Sequence, residues 1–234
     1  PPAPAVSAAR ARLQALAALD RAGQITERGR RIAALPMAPW QAAMLLYGAE
    51  HGAAEPAARL ALLLQERGLG GRGEDLAQRL ARWDGDRSSR AESSRKLAAG
   101  WARKAQTLVP LACGEELGVG KRSEGARPRQ RRAPPTNPPP QRGGPRVPLG
   151  VLLAMALPDN LARRRDASGE SWLSAGGRGY LLDATSPLAT AEWLASGDAQ
   201  GQAKAARITA ALPLTVAEVE QWLGERIERR GALR

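Results

Sequence analysis

Residue types that build most catalytic and metal-binding sites are scarce in this sequence. Its 234 residues include one Cys, one His and no Phe. A single Cys excludes an internal disulfide framework and a Cys-based zinc site, and a single His excludes a His-cluster metal site. No apolar run approaches the roughly 20 residues that a membrane-spanning helix requires, and the first residues lack the pattern of a signal peptide. We therefore expect a cytoplasmic chain that contacts no membrane and holds no metal.

Basic residues are in excess, and their distribution is uneven. Lys and Arg number 35 against 23 Asp and Glu, which gives a formal net charge of +12. Residues 1–106 hold 17 basic and 10 acidic residues, residues 107–148 hold 8 and 3, and residues 149–234 hold 10 of each. Such an excess indicates a polyanionic partner, because cationic side chains that neutralise phosphates release counterions. A coding bias towards Ala, Arg, Gly and Pro explains the same composition equally well, so composition leaves both interpretations open.

The first 106 residues have the pattern of a small all-helical assembly with short connections. Apolar residues at helical spacing predict a helix over residues 5–19, and Thr26 is a good N-cap for a second helix over Glu27–Leu35. The further helices predicted in this part are Trp40–Gly48, Glu55–Arg67, Glu74–Trp83 and Glu92–Thr107.

The rest of the chain differs in character. Residues 107–148 contain 9 of the 18 prolines and show no periodicity, so we predict a Pro/Arg-rich linker, extended or disordered. Residues 149–234 combine an apolar stretch, short strands and a helix capped by Thr215 that runs through Glu228. The predicted strands are Asn160–Arg165, Ser171–Ser174, Arg178–Leu182, Glu192–Ala195 and Ala206–Leu212. The predicted fold is therefore mainly α, with a smaller β-containing part.

One segment approaches the pattern of a phosphate-binding loop and fails on spacing. Residues 113–123 contain Gly120-Lys121, but the loop requires G-x-x-x-x-G-K-[ST]. Glu115 stands where the first glycine should be, and Arg122 occupies the position of the hydroxyl that meets Mg²⁺. Neither the one His nor the one Cys has a recognisable catalytic partner. We predict no catalytic, cofactor-binding or metal-binding residues in this chain.

Arg163-Arg164-Arg165 is the densest basic cluster outside the linker. In a strand, Arg163 and Arg165 would share one face and Arg164 would take the other, while Arg178 on the following hairpin could join either. We predict that these four arginines contact nucleic acid. The alternative is a solvated strand edge that is protected by charge.

Two blocks of the sequence resemble the accessory region of DEAH-type ATP-dependent helicases, most closely the HrpB type. In the first block the matching positions are Leu16, Ala18, Leu19, Asp20, Gly23, Thr26, Gly29, Ala33, Leu35 and Pro36. In the second they are Gly150, Leu152, Leu153, Ala154, Ala156, Pro158, Asp159, Ala162, Arg164 and Arg165. Asn160 departs from the pattern, because the family usually has Arg at that position.

The resemblance implies a longer parent protein that couples ATP hydrolysis to movement along nucleic acid. It implies that residues 1–38 end a winged-helix domain, residues 39–106 form a helical ratchet-like bundle, residues 107–148 are a linker, and residues 149–234 form a partial OB-like region. No Walker A loop, Asp-Glu-Ala-His box or arginine finger occurs here. We therefore expect an internal, nucleic-acid-handling fragment without ATPase activity, and ATP and Mg²⁺ only in the parent's RecA-like domains. Its expected partners are those domains and single-stranded RNA or DNA.

Two other hypotheses remain open at this point. The chain could be a protein-interaction module that uses the helical bundle and the Pro/Arg tract. It could also be a degenerate product without a function, since aromatic platforms for base stacking are scarce. Trp172 and Tyr180 on the predicted hairpin are the candidates for stacking, although a role in the core suits both equally well.

Overall fold

A computed structural model describes residues 3–66, 68–109, 146–202 and 204–226. The first two ranges are helical, as the sequence predicts. Their helices are α1 Ala3–Ala15, α2 Glu27–Ala33, α3 Pro39–Glu50, α4 Ala54–Gln65, α5 Leu76–Gly85 and α6 Ser89–Leu108. Cys113, most of the predicted linker and the last eight residues lie outside the described ranges.

The turn before α2 is fixed by one hydroxyl group. Thr26 Oγ1 accepts a hydrogen bond from the Gly29 N–H at 2.9 Å and donates one to the Ala17 carbonyl at 2.6 Å. Gly29 is required beside it, because a Cβ atom there would lie 2.1 Å from the Ala18 carbonyl oxygen. The predicted cap is therefore present, and it also ties α2 to the end of α1.

The helix predicted over residues 5–19 ends early, at Ala15. Ala17 has a φ of 55°, which is left-handed and incompatible with a continuing α-helix. This turn places Leu19 opposite Ile25 in a short antiparallel bridge. The error arises because apolar spacing continues past the point where the backbone turns.

The remaining described residues form a small barrel with a helix at each end of its sequence. The helices are α7 Leu149–Ala156 and α8 Val216–Leu223, and the strands are β1 Leu161–Arg164, β2 Ser171–Ser174, β3 Gly179–Leu181, β4 Trp193–Gln200 and β5 Ala206–Leu214. The strands close in the order β1-β2-β3-β5-β4. Only the pairing of β3 with β5 is parallel among these strands. The fold is thus mainly α with a smaller β part, and the barrel fits the predicted OB-like region.

The apolar residues form two clusters, one inside the barrel and one that the outer face of the barrel shares with the helices. The barrel interior has its own cluster, which includes Trp172, Tyr180 and Leu194. Its outer face contributes Leu161 and Leu212 to the same cluster as the helical bundle. This second packing layer exists because side chains of a strand alternate between the two faces of the sheet.

Helix α7 and the segment before α5 hold the barrel against the bundle. The apolar α7 is buried along most of its length and packs against α3, β4 and β5. The Ala211 N–H on β5 donates to the Glu74 carbonyl at 2.8 Å, and the Glu74 carboxylate accepts from the Ser186 hydroxyl. None of the helices in the described ranges combines the length and apolar character needed to cross a bilayer.

Candidate nucleic-acid interface

The three consecutive arginines lie where β1 ends. Arg163 and Arg164 belong to β1, and the Arg165 N–H continues the pairing by donating to the Ser171 carbonyl at 2.9 Å. Arg163 and Arg165 are exposed, whereas Arg164 is half-buried. The alternation predicted from the sequence is therefore present, with two arginines on the outer face of the barrel and one turned inwards.

Arg164 serves the fold. Its Nη1 donates to the carbonyls of Ala189 and Thr190 at 3.2 and 3.4 Å, in the 3₁₀ turn that precedes β4. Gly169 approaches the same turn and has a φ of 76°. It must be glycine, because a Cβ atom there would lie 2.1 Å from the Ala189 carbonyl oxygen. Arg164 therefore fastens the turn over one end of the barrel.

Arg163 is held over an aromatic ring. Its guanidinium carbon lies 5.5 Å from the ring centroid of Trp193, its direct neighbour on β4. Its Nη2 also lies 3.3 Å from Glu192 Oε1, and the two side chains are 63% and 44% exposed. An ion pair this exposed stabilises the fold by well under about 1 kcal/mol. Arg163 can therefore leave Glu192 for a stronger anionic partner.

Arg165 is the most available of the three. Its side chain is exposed, and its guanidinium forms no hydrogen bond or ion pair with any residue in the described ranges. Since Arg163 and Arg165 are two residues apart on one face, their Cα atoms are separated by about 6.6 Å. Both cations can reach the backbone of one extended polyanion.

The three arginines border a groove of about 600 Å³. Trp193 forms part of its wall, together with apolar residues of α7, β1, β2 and α8, namely Ala154, Leu161, Leu173 and Leu223. Leu173 is 44% exposed and lies opposite Arg163 on the strand side away from Trp193. The groove thus combines an apolar interior with a cationic border.

Arg178 does not join this cluster. Its backbone carbonyl pairs with Ser174, toward the other end of the hairpin, and its Nη2 donates to the Gly201 carbonyl at 3.2 Å. Its guanidinium lies 5.7 Å from the ring centroid of Tyr180. Arg178 is not among the residues that line the groove, so its contact with nucleic acid stays a prediction.

The two aromatic residues suggested for base stacking are in the core. Trp172 and Tyr180 are both inside the barrel, with exposed fractions of 0% and 2%. Burial raises the pKa of the Tyr180 hydroxyl, which donates to the Asn160 side-chain oxygen at 3.2 Å. Asn160, the residue that departs from the family pattern, is thus a structural partner here. Neither aromatic face is available to a ligand.

Trp193 is the aromatic residue that sequence reasoning missed. The pairing of β4 with β1 places it beside Arg163, 30 positions away along the chain. Its signal in the sequence is weak, because no local pattern shows that the strand around Trp193 pairs with the strand of Arg163.

No group of three or more His, Cys, Asp or Glu in the described ranges could hold a metal ion.

Comparison with known proteins agrees with this architecture. The family described as "Helicase associated domain (HA2), winged-helix" matches residues 9–37. The crystal structure of Escherichia coli DExH-box NTPase HrpB has 25% sequence identity and a TM-score of 0.67, over 96% of this chain and 23% of that one. The chain resembles the C-terminal accessory region of an HrpB helicase. The resemblance stated from the two sequence blocks is thereby confirmed.

A second crystal structure extends the HrpB comparison. It is that of the Escherichia coli DEAH/RHA helicase HrpB, with 25% identity and a TM-score of 0.64, over 92% of this chain and 22% of that one. The chain spans less than a quarter of the length of either HrpB structure. No curated protein sequence matches the chain at a significant level. The HrpB-like block around Thr26 and Gly29 builds a turn, whereas the block that ends at Arg165 borders the groove.

Proposed function

We propose that this chain is a nucleic-acid-handling accessory region of an HrpB-type ATP-dependent helicase and hydrolyses no ATP by itself. Residues 1–38, 39–106 and 149–234 correspond in this proposal to the winged-helix end, the ratchet-like bundle and the OB-like region. The observation that carries it is the pair of outward arginines, Arg163 and Arg165, beside a groove in an HrpB-like fold. The ligand is single-stranded RNA or DNA, and the parent's RecA-like domains supply ATP and Mg²⁺ chemistry.

Physical chemistry supports a single strand as the ligand. Phosphate contacts from arginines supply affinity that does not depend on sequence, and an extended strand can follow the face of a sheet. Arg165 is free to bind a phosphate, and Arg163 needs only to leave an exposed carboxylate. The role assigned to these residues is to hold the strand.

Salt-dependent binding tests this proposal. The 234-residue chain is titrated with a fluorescent single-stranded oligonucleotide at several salt concentrations, and the logarithm of the affinity is plotted against the logarithm of salt. We expect R163A/R165A to lower the slope by about 1.4, since each phosphate contact on a single strand contributes about 0.7. The matched control is R87A/R103A, which removes the same charge from two exposed positions outside the groove.

Two outcomes would refute the assignment of the interface. One is undetectable binding at low salt, and the other is an equal loss in R87A/R103A and R163A/R165A. The second result would show that net charge, rather than this face, attracts the oligonucleotide. If the R163A/R165A substitutions left nucleic-acid affinity unchanged, a protein-interaction role would become the better explanation.

Phosphate release with ATP and Mg²⁺ tests the remaining part of the proposal. We expect the purified chain to show no turnover above buffer, with or without oligonucleotide. Turnover that survives repeated purification and saturates with ATP would contradict it.

A further inference from the structure

We propose that the groove beside β1 is a base-binding pocket, in which one unstacked nucleobase of a bound single strand stacks on Trp193. This inference rests on the proposed function and adds to it the element of the ligand that is recognised. Phosphate contact by Arg163 and Arg165 requires no groove, so the base pocket is a separate claim with a separate test.

The size and lining of the groove suit a planar aromatic ligand. A volume of about 600 Å³ lies within the range of about 300–1,000 Å³ that is typical of small-molecule sites. Ala154 and Leu223 give it apolar walls, while Arg163 and Arg165 stand at its border. A nucleotide has a similar division, with a base whose flat faces suit apolar contacts and an anionic phosphate.

Trp193 is fixed in the orientation that stacking requires. Its indole packs against the shared core and is only partly exposed, and its strand is paired on both sides, by β1 and β5. The Trp193 side chain therefore loses little conformational freedom when a base stacks on it, and such preorganisation favours binding. Base–aromatic stacking of this kind tolerates any of the bases.

Arg163 marks the position that the base would take. Its guanidinium already lies over the indole at 5.5 Å, so a flat, polarisable group has access to that face. The ion pair with Glu192 that holds it there is a single contact at 3.3 Å between exposed groups. On binding, the base replaces the guanidinium over Trp193, and Arg163 turns to a phosphate.

Charge complementarity selects a nucleotide over an apolar protein side chain. An apolar side chain would fill the groove but would make no ionic contact with the exposed cation of Arg165, which has no partner in the described ranges. A nucleotide can fill the groove with its base and pair its phosphate with Arg165, since one flexible linkage joins the two groups.

An abasic ligand separates the pocket from the phosphate contacts. The full chain is titrated with a short single-stranded oligonucleotide and with an abasic one that has the same number of phosphates. We expect the ordinary ligand to bind about 5- to 150-fold more tightly, which is the range for stacking of one base. In W193L this preference should disappear, whereas W193F should keep most of it.

A second variant protects the test against misfolding of W193L. Ala175 is exposed and lines the groove, so A175L fills the pocket from the surface with a side chain that cannot stack on a base and removes no core contact. We expect A175L to lose affinity for the ordinary ligand and to bind the abasic ligand as the unsubstituted chain does. Salt-dependent binding of both ligands with equal affinity by the parent chain would overturn the pocket and leave the proposed function intact. Absence of binding to either ligand at low salt would overturn both.

Discussion

Two adjacent arginines should give opposite results when each is changed to alanine. Arg164 is tied to the barrel by its hydrogen bonds to Ala189 and Thr190, whereas Arg165 is exposed and unpaired among the described residues. We predict that R164A lowers stability and changes binding little, and that R165A lowers binding and changes stability little.

The magnitudes follow from the contacts. Removing Arg164 leaves two carbonyl oxygens without this donor, and a hydrogen bond from a charged group contributes about 1.5–3 kcal/mol at good geometry. Distances of 3.2 and 3.4 Å and a half-buried site reduce that, so we expect a loss of about 1–2 kcal/mol in the free energy of unfolding. For R165A we expect less than about 0.5 kcal/mol, as for other exposed substitutions.

Urea unfolding and oligonucleotide titration are measured on the same preparations. R165A should lower the salt slope by about 0.7, the value for one phosphate contact. The matched controls are R164M, which keeps the alkyl chain and loses the donors, and R165K, which keeps the charge. R164M should resemble R164A in stability, and R165K should recover most of the binding. Equal stability losses in R164A and R165A would refute the division of roles, as would a larger binding loss in R164A.

Three further predictions concern residues around the groove and the first turn. E192Q should raise oligonucleotide affinity roughly 2- to 5-fold by releasing Arg163 from an exposed ion pair, and titration of E192Q/R163A should show no such gain. T26A should cost about 1 kcal/mol in urea unfolding through loss of the N-cap, with T26S close to the parent chain. Burial acts to raise the pKa of Asp166, but hydrogen bonds from Ser168 and the three N–H groups after it outweigh this and lower the pKa. The stability that this lowered pKa provides should be complete above about pH 4 and be lost as the pH falls through the pKa of the folded state. The free energy of unfolding in urea should therefore fall less steeply at acidic pH in D166N than in the unsubstituted chain.

The helices could be predicted because their signals are local. Thr26 caps α2 as expected, and the helices from α3 to α6 begin and end within a few residues of the expected bounds. The apolar stretch before Pro158 was assigned to no element, and it forms α7 with most of its residues buried between bundle and barrel. Such burial depends on partners far along the chain, so no local pattern shows it.

The strands show the limit of the same reasoning. The polar residues 196–200 look like a loop, yet β4 continues through them because β5 supplies pairing partners as far as Arg207. The candidate site could likewise be predicted only in part. The alternation of Arg163 and Arg165 follows from sequence, but the position of Trp193 depends on strand pairing and was missed. The sequence placed Arg164 on the opposite face from its neighbours but predicted the same contact with nucleic acid, since nothing local shows that its guanidinium meets a distant turn.

The shared core has a consequence for the covalent continuity of the chain. The cluster that includes Leu45 and Leu62 of the bundle also includes Leu153 and Leu212, which lie beyond residues 110–145. Neither piece can bury the apolar surface that it contributes to this cluster without the other, and the contacts of Glu74 with Ala211 and Ser186 join the same two pieces. A chain cut once within residues 110–145 should therefore persist as a non-covalent complex, and the two fragments, expressed separately, should restore each other's fold when mixed.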